Sequence, residues 1–334
     1  MSTHGQPAWS ESRVVESRPV ASGVRRITVE RPGSVRAAPG AHLDVRVRLG
    51  EAMATRSYSI VESNTDGSRL TISVQRAAAS RGGSVFMHGL EVGDTIETTQ
   101  PLQNFHLRIG APRYVLLAGG IGVTAVIEMA RVLRSLGADY DLVYVGRSRH
   151  VMAYADLLAD LHGERLALHV DDEGTPLDVD RLVDAVAGHD LAGGTELYMC
   201  GPIRLMDAVR RTWAATALPP TNLRYETFGN SGWFAPEPFV VRLPQLGIET
   251  TVGTGTTLLD ALTAAGADLM YDCRKGECGL CVVDVDVAGG RIDHRDVFLS
   301  TAQQQRGERL CLCVSRAVAE PGASAPAVLD VRLP

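Results

Sequence analysis

Cys273-Arg274-Lys275-Gly276-Glu277-Cys278-Gly279-Leu280-Cys281 sets three cysteines at x4 and then x2 spacing, with two glycines between the first and the last. Glycine turns at positive φ without a Cβ penalty, so thiolates so spaced can wrap a compact inorganic cluster, and the spacing is a [2Fe–2S] signature. Such a cluster needs a fourth thiolate. The cysteines downstream are Cys311 and Cys313, in Leu310-Cys311-Leu312-Cys313-Val314. That segment is expected to be a strand, where residues two apart face the same side, so the residues alone leave both open. Buried structural thiols or a zinc site are the competing readings. Zinc sites favour paired C-x2-C knuckles, and here there is one such pair.

Outward from this loop, the patterning predicts a hairpin over 239–243 and 248–252. A Thr257 cap should start a short helix that stops at Gly266, and strands are expected at 282–287, 310–314 and 327–331. Before them, Gly229 to Pro238 is turn-rich and reads as a linker. Residues 110–228 alternate strand and helix: strands at 114–118, 142–146, 167–170 and 196–200, helices at 125–136, 153–162, 178–187 and 203–215. That alternation predicts a doubly wound parallel α/β sheet that binds ligands outside the carboxyl ends of its strands. Gly119-Gly120-Ile121-Gly122-Val123-Thr124 and Cys200-Gly201-Pro202 follow two of those ends, and Arg147-Ser148-Arg149 a third. Bare N–H groups at a helix start suit a pyrophosphate, although a Gly-rich turn alone is a short signal. Cys200 reads equally well as a small buried residue or as a neighbour of a nicotinamide.

Within 1–109, residues 1–12 are polar and expected to be loose. Evenly spaced runs at 23–30, 42–49, 56–61, 70–76 and 95–99 predict a small antiparallel β-barrel. Arg56-Ser57-Tyr58-Ser59 falls on one strand, and Ser80-Arg81-Gly82-Gly83-Ser84 opens a Gly-rich turn. An aromatic face, an arginine and a nest of N–H groups are what a flavin and its phosphate need.

Composition limits the partners. The 334 residues carry a net charge of −6, and Lys275 is the one lysine, which argues against nucleic acid. No apolar run reaches membrane-spanning length and the N-terminus lacks a secretory pattern, so a cytoplasmic protein is expected. Five of six cysteines lie in the C-terminal cluster, unlike a disulfide framework. Lone histidines such as His88, His106 and His294 read as satisfied polar residues. Asp293-His294-Arg295-Asp296 is assigned a structural role.

In this order the motifs resemble the phthalate dioxygenase reductase family over nearly the whole chain. The resemblance implies a flavin barrel over 1–109, a nicotinamide domain over 110–228, a linker over 229–238 and a β-grasp [2Fe–2S] ferredoxin over 239–334. It assigns Arg56, Ser57, Tyr58, Ser59, Ser73, Val74, Arg81, Gly82, Gly83, Ser84, Thr124 and Phe228 to FMN. NAD(P)H falls to Gly119, Gly120, Gly122, Val123, Arg147, Ser148, Cys200, Gly201 and Pro202. The cluster falls to Cys273, Cys278, Cys281 and Cys313, the last from Cys313-Val314-Ser315-Arg316-Ala317, which favours it over Cys311. Tyr225-Glu226-Thr227-Phe228 is implied to lie near the flavin. Ala125 departs from the family, whose members carry proline at that first helical position.

Electron counting links these parts. A nicotinamide delivers two electrons together, a [2Fe–2S] cluster takes one, and a flavin can stand between them. The resemblance implies FMN, with FAD as the alternative, and NADH, with NADPH as the alternative because Arg147 and Arg149 could read a 2′-phosphate. It further implies a monomer that serves a Rieske-type oxygenase; a cytochrome P450 or other haem enzyme is the alternative client, and a non-catalytic redox sensor the reading from another class. Arg274 and Lys275, in a segment with 12 acidic and 9 basic residues over 239–334, could steer docking or simply form a solvated rim.

Overall fold

The computed structural model describes residues 8–50, 52–77, 82–228, 232–323 and 325–333. Ser80 and Arg81 of the expected phosphate turn and residues 229–231 of the expected linker therefore lie outside the described residues. The chain divides into two compact units, 1–201 with 212–226, and 202–211 with 227–334.

In the first unit, six antiparallel strands close a barrel: β1 (Trp9–Ala21), β2 (Val24–Glu30), β3 (Ala41–Leu49), β4 (Ala52–Ser63), β5 (Arg69–Gln75) and β6 (Thr95–Thr99). Their order is β4-β5-β2-β1-β6-β3, and β3 pairs back onto β4 to complete the ring; β7 (Leu102–Gln103) adds to β3. Alternation explains the closure. Along β3, Leu43, Val45 and Val47 are fully buried while Asp44, Arg46 and Arg48 point the other way. Residues 9–12, expected to be loose, belong to β1. Their polar character is absorbed because they pair with Ile96–Thr99 of β6, and the buried Ser12 hydroxyl bonds Thr98 Oγ1 at 2.7 Å. The Gly-rich turn is also shorter than expected, since Gly83–His88 already forms helix α1.

A parallel sheet follows in the same unit: β8 (Arg113–Gly119), β9 (Tyr140–Gly146), β10 (Leu166–Val170), β11 (Thr195–Cys200) and β12 (Leu223–Glu226), ordered β10-β9-β8-β11-β12. The strand β12 was not foreseen. Helices α2 (Val123–Ser135), α3 (Ala155–His162) and α4 (Val179–Ala187) alternate with these strands, and α5 (Ile203–Ala214) follows β11. The helix α2 packs on β8, β9 and β11 and on barrel strand β4, so nearly every side of it is covered. Ala125 is the third residue of α2, not its first.

The second unit holds a mixed sheet ordered β14-β13-β19-β15-β17: β13 (Phe239–Leu243), β14 (Ile248–Val252), β15 (Val282–Ala288), β17 (Arg309–Cys311) and β19 (Val328–Arg332). Helix α6 (Leu258–Ala264), capped by the Thr257 hydroxyl, sinks Leu258, Leu259 and Leu262 into its core. With β13 and β19 parallel inside otherwise antiparallel pairings, this is a β-grasp. A two-stranded ribbon, β16 (Gly290–Asp293) with β18 (Arg316–Ala319), and helix α7 (Thr301–Arg306) were not expected. The expected strand over 310–314 is corrected: β17 ends at Cys311 and residues 312–314 turn, with Ser315 N–H bonding Cys311 O at 3.0 Å. Cys311 and Cys313 therefore do not share one strand face.

Candidate functional site

The cysteine loop is shaped by its backbone. Arg274, Gly276 and Gly279 all sit at positive φ (53°, 77° and 77°). A Cβ on Gly276 would fall 2.7 Å from Val314 Cγ2, and one on Gly279 would fall 2.2 Å from the Phe298 ring. These turns aim the Lys275, Glu277 and Cys278 N–H groups at Cys273 Sγ, each at 3.4 Å. Across the loop, Cys281 Sγ lies 3.2 Å from Cys313 Sγ. The donor set is that of a thiolate-bound cluster. A hydrogen bond from the Cys313 thiol and those three N–H groups outweigh burial and pull Cys273 down to about 4, and the Cys311 and Cys313 thiols pull Cys281 down to about 3. Cys311 and Cys313 are pushed up because each donates to a neighbouring sulfur, and burial raises Cys278. Among the described residues, no three His, Cys, Asp or Glu side chains are grouped to hold a single metal ion. A [2Fe–2S] cluster asks for two thiolates at each of two irons. Arg274 pairs with Asp260 and lies over the Tyr271 ring at 5.0 Å, so it is engaged within its own unit.

In the barrel, β4 carries Arg56 to Ser59 in register with β3, with Ser57 opposite Asp44 and Ser59 opposite His42. The Ser57 hydroxyl donates to Asp44 Oδ1 at 2.5 Å and the Ser59 hydroxyl to Glu226 Oε2 at 3.4 Å. Burial pushes Tyr58 up to about 12, against the pull of Arg56. Arg56 runs alongside the start of α1: a Cβ on Gly83 would fall 3.1 Å from its Nε. The strand and the turn 82–84, 23 residues or more apart in sequence, are thus one site. An arginine beside a glycine-rich helix start and a serine hydroxyl is the donor chemistry a phosphate takes, and these residues are compatible with a flavin mononucleotide. Ser84 Oγ accepts from Ala77 N–H at 3.1 Å, and Val74 O pairs with His88 Nε2 at 2.8 Å. Ser73 is buried with its hydroxyl bonded to Tyr154 OH at 2.5 Å, so that hydroxyl already has a protein partner. Phe228 is half-buried.

The parallel sheet collects the nucleotide candidates at one edge. Gly119, Gly146, Cys200 and Glu226 end their strands, with Cys200 in register with Ala118 and Glu226. Gly122 allows a close approach, since a Cβ there would fall 2.1 Å from Cys200 O and 2.9 Å from Gly201 N. Gly120 adopts φ 54°, and no atom crowds its Cβ position. The Thr124 hydroxyl donates to Ile121 O, closing the turn before α2, whose first residue, Val123, is buried. Ser148 is buried, its hydroxyl 3.4 Å from His150 Nε2; Arg147 is exposed, and Arg149 is held by Glu173 through contacts of 2.7 and 3.1 Å. Pro202 leads into α5 and its carbonyl accepts from Met206 N–H.

Sequence reasoning missed two residues here. Tyr154, at φ 66°, ties the segment after β9 to β5; no local pattern signals a tyrosine in that conformation. Asp296 links the segments that carry the cysteines, and its motif was visible in the sequence without its partners.

Comparison with known proteins agrees with this geometry. A model for a 2Fe-2S iron-sulfur cluster binding domain matches residues 241–318. Phenoxybenzoate dioxygenase subunit beta of Ectopseudomonas oleovorans is 37% identical over 83% of this chain and 83% of its own. The solved phthalate dioxygenase reductase, described as a modular structure for electron transfer from pyridine nucleotides to [2Fe-2S], superposes with a TM-score of 0.70 at 29% identity, over 96% of this chain and 98% of that one. An intact type IV self-sufficient cytochrome P450 monooxygenase is 33% identical over 97% of this chain, with a TM-score of 0.64; this chain spans 41% of that longer protein.

Proposed function

The chain belongs to the phthalate dioxygenase reductase family, and from that premise we propose that it is the reductase component of a multicomponent oxygenase, passing electrons from NADH through FMN and a [2Fe–2S] cluster to a Rieske-type non-haem iron oxygenase. The observation that carries the reading is the cysteine loop, with its N–H donors on Cys273 and the 3.2 Å approach of Cys281 to Cys313, in a segment matched by a [2Fe–2S] domain model on the same chain as the barrel and the parallel sheet. Bound flavin takes two electrons together and releases them singly.

The roles of the chain's own residues follow from where they lie. Cys273, Cys278, Cys281 and Cys313 hold the cluster. Arg56, Gly82, Gly83 and Ser84, with Arg81, would hold the flavin phosphate, Tyr58 would supply an aromatic face to the flavin, and Ser57, Ser59, Ser73, Val74, Thr124 and Phe228 would complete its binding set. Gly119, Gly120, Gly122 and Val123 receive the pyrophosphate, and Cys200, Gly201 and Pro202 the nicotinamide. The pairing of Arg149 with Glu173, beside Asp171 and Asp172, supports NADH, since an anionic rim disfavours a 2′-phosphate. The functional domains take the spans 1–109, 110–228 and 239–334, joined by a linker at 229–238. No helix among the described residues is long and apolar enough to cross a membrane, and no disulfide joins the cysteines; the family resemblance is the ground for proposing a monomer that works in the cytoplasm.

Anaerobic titration with NADH should bleach the flavin band and then the cluster band, with NADPH far less effective. Protein that carries no flavin after gentle purification and takes up none when FMN is added would sink the reading. A second client is favoured by one observation, the match to a self-sufficient P450 over 97% of this chain. Turnover reconstituted in parallel with a Rieske oxygenase and with a P450 distinguishes the two.

A further inference from the structure

Asp296, in the Asp293–Asp296 motif assigned a structural role, is fully buried. Its carboxylate Oδ1 accepts from the Ser315 hydroxyl at 3.2 Å and lies 3.5 Å from His294 Nδ1, while Oδ2 accepts from Leu299 N–H at 2.8 Å. Its backbone is pressed against the ligand loop: a Cβ on Gly276 would fall 2.9 Å from Asp296 Cα, and Val297 N–H donates to Gly276 O at 3.0 Å. Ser315 in turn closes the turn that bears Cys313, through its N–H to Cys311 O at 3.0 Å. Residue 296 thus links the two stretches that supply thiolates, its backbone segment pressed on 273–281 and its carboxylate holding Ser315 beside 311–313. The neighbouring Arg295 does not neutralise it, because that guanidinium is committed to Asp293 Oδ2 at 2.7 and 2.5 Å. Burial opposes ionisation of Asp296, but the nearby His294 ring and hydrogen bonds from Leu299 N–H and the Ser315 hydroxyl hold its carboxyl below the usual range, which favours the anion at neutral pH.

We propose that Asp296 is a positioning residue that clamps the Cys313 turn onto the Cys273–Cys281 loop and, as a buried anion behind that loop, holds the cluster at a low reduction potential. The inference rests on the cluster assignment made under Proposed function. Its physical basis is simple: reduction adds an electron to a centre already anionic with four thiolates, and a fixed negative charge in a poorly screened interior opposes that addition. The clamp and the charge are separable. Ser315→Ala removes the hydrogen bond to Asp296, together with the acceptor for Arg295 N–H, and keeps the charge; Asp296→Asn keeps the shape, retains an acceptor for Leu299 N–H and removes the charge.

The test uses the full-length holoprotein, with iron release to a chelator and an EPR-monitored redox titration as readouts. Asp296→Asn should move the cluster midpoint upward by about 59 mV, a tenfold change in the reduced-to-oxidised ratio for one electron, while retaining iron. NADH should then reduce the cluster more completely, and transfer to an outside acceptor should slow. Ser315→Ala should release iron several-fold faster with the midpoint unmoved. An unmoved or lowered midpoint in Asp296→Asn, or loss of its cluster on purification, overturns the role of the charge. An unchanged release rate in Ser315→Ala overturns the clamp. Wild-type protein without the EPR signal of a reduced cluster would instead sink the cluster assignment itself, a separate failure.

Discussion

The cluster loop and the flavin strand hold their functional groups by opposite means. In 273–281, position comes from the backbone: three residues at positive φ fold the chain so that N–H groups converge on Cys273 Sγ. On β4 the backbone is ordinary extended chain, and position comes from register with β3, which puts Asp44 opposite Ser57 and His42 opposite Ser59. A site made by local turns is written in local spacing. A site made by register is written in two segments at once, and neither segment is distinctive alone.

The sharpest way to break this comparison is to remove one thiolate. Cys278→Ser should cut transfer to an outside acceptor by about a hundredfold or more, because the one-electron carrier is lost, while NADH still bleaches the flavin. Stopped-flow absorbance of the flavin alongside cytochrome c reduction checks both halves. Retained current in that variant contradicts the assigned electron path.

Next in size is Gly279→Ala. The added methyl would lie 2.2 to 2.5 Å from three carbons of the Phe298 ring, at a φ of 77° that alanine resists. Strain of ~1–3 kcal/mol is expected, seen as faster iron loss in chelator. Pairing it with Phe298→Ala should recover the steric part and leave the φ part, which a double-mutant cycle separates. Full recovery would mean that the turn itself is unimportant.

On the strand, Arg56→Ala should weaken flavin binding roughly tenfold by removing a charge-assisted contact. Excess FMN should restore activity, because the register of β4 with β3 does not depend on this side chain. That rescue is the contrast with Gly279→Ala, where added iron does not rebuild a strained turn. Ultrafiltration of flavin from the variant measures the loss.

Legibility follows the same division. The x4, x2 cysteine spacing, the Gly122 turn and the strand–helix alternation of the parallel sheet are local patterns, and each was readable. The strand β1 was not, because its polar stretch is stabilised by partners far away: Ser12 answers Thr98, 86 residues on. The helix α7 has no apolar stripe, but its sequence does hold a start signal, the reciprocal capping box of Ser300 and Gln303. The expected strand at 310–314 failed because Leu310, Leu312 and Val314 alternate convincingly, whereas the chain turns after Cys311 to bring Cys313 to Cys281. There, ligand geometry overrides strand pattern.

Tyr154 is where the two modes of construction meet, and it carries the smallest expected effect. Among the described residues, it and Arg274 are the non-glycine positions at positive φ, one in each compact unit. Arg274 sits in the loop whose turns are themselves the site. Tyr154 instead opens α3 and sends its hydroxyl to Ser73 on β5, while the preceding His150 carbonyl accepts from Ser22 N–H at 2.8 Å, so the segment after β9 is fastened to the barrel at two points. If strain at this position is tolerated for that fastening, Tyr154→Phe should cost about 1 kcal/mol, a fall in Tm of ~2–4 °C, with flavin content unchanged. Tyr154→Gly removes the backbone strain but loses ring and hydroxyl together, and should cost more than Tyr154→Phe despite the easier φ. A glycine variant more stable than the phenylalanine one would mean that the backbone, as in the cluster loop, and not the hydroxyl contact governs this junction.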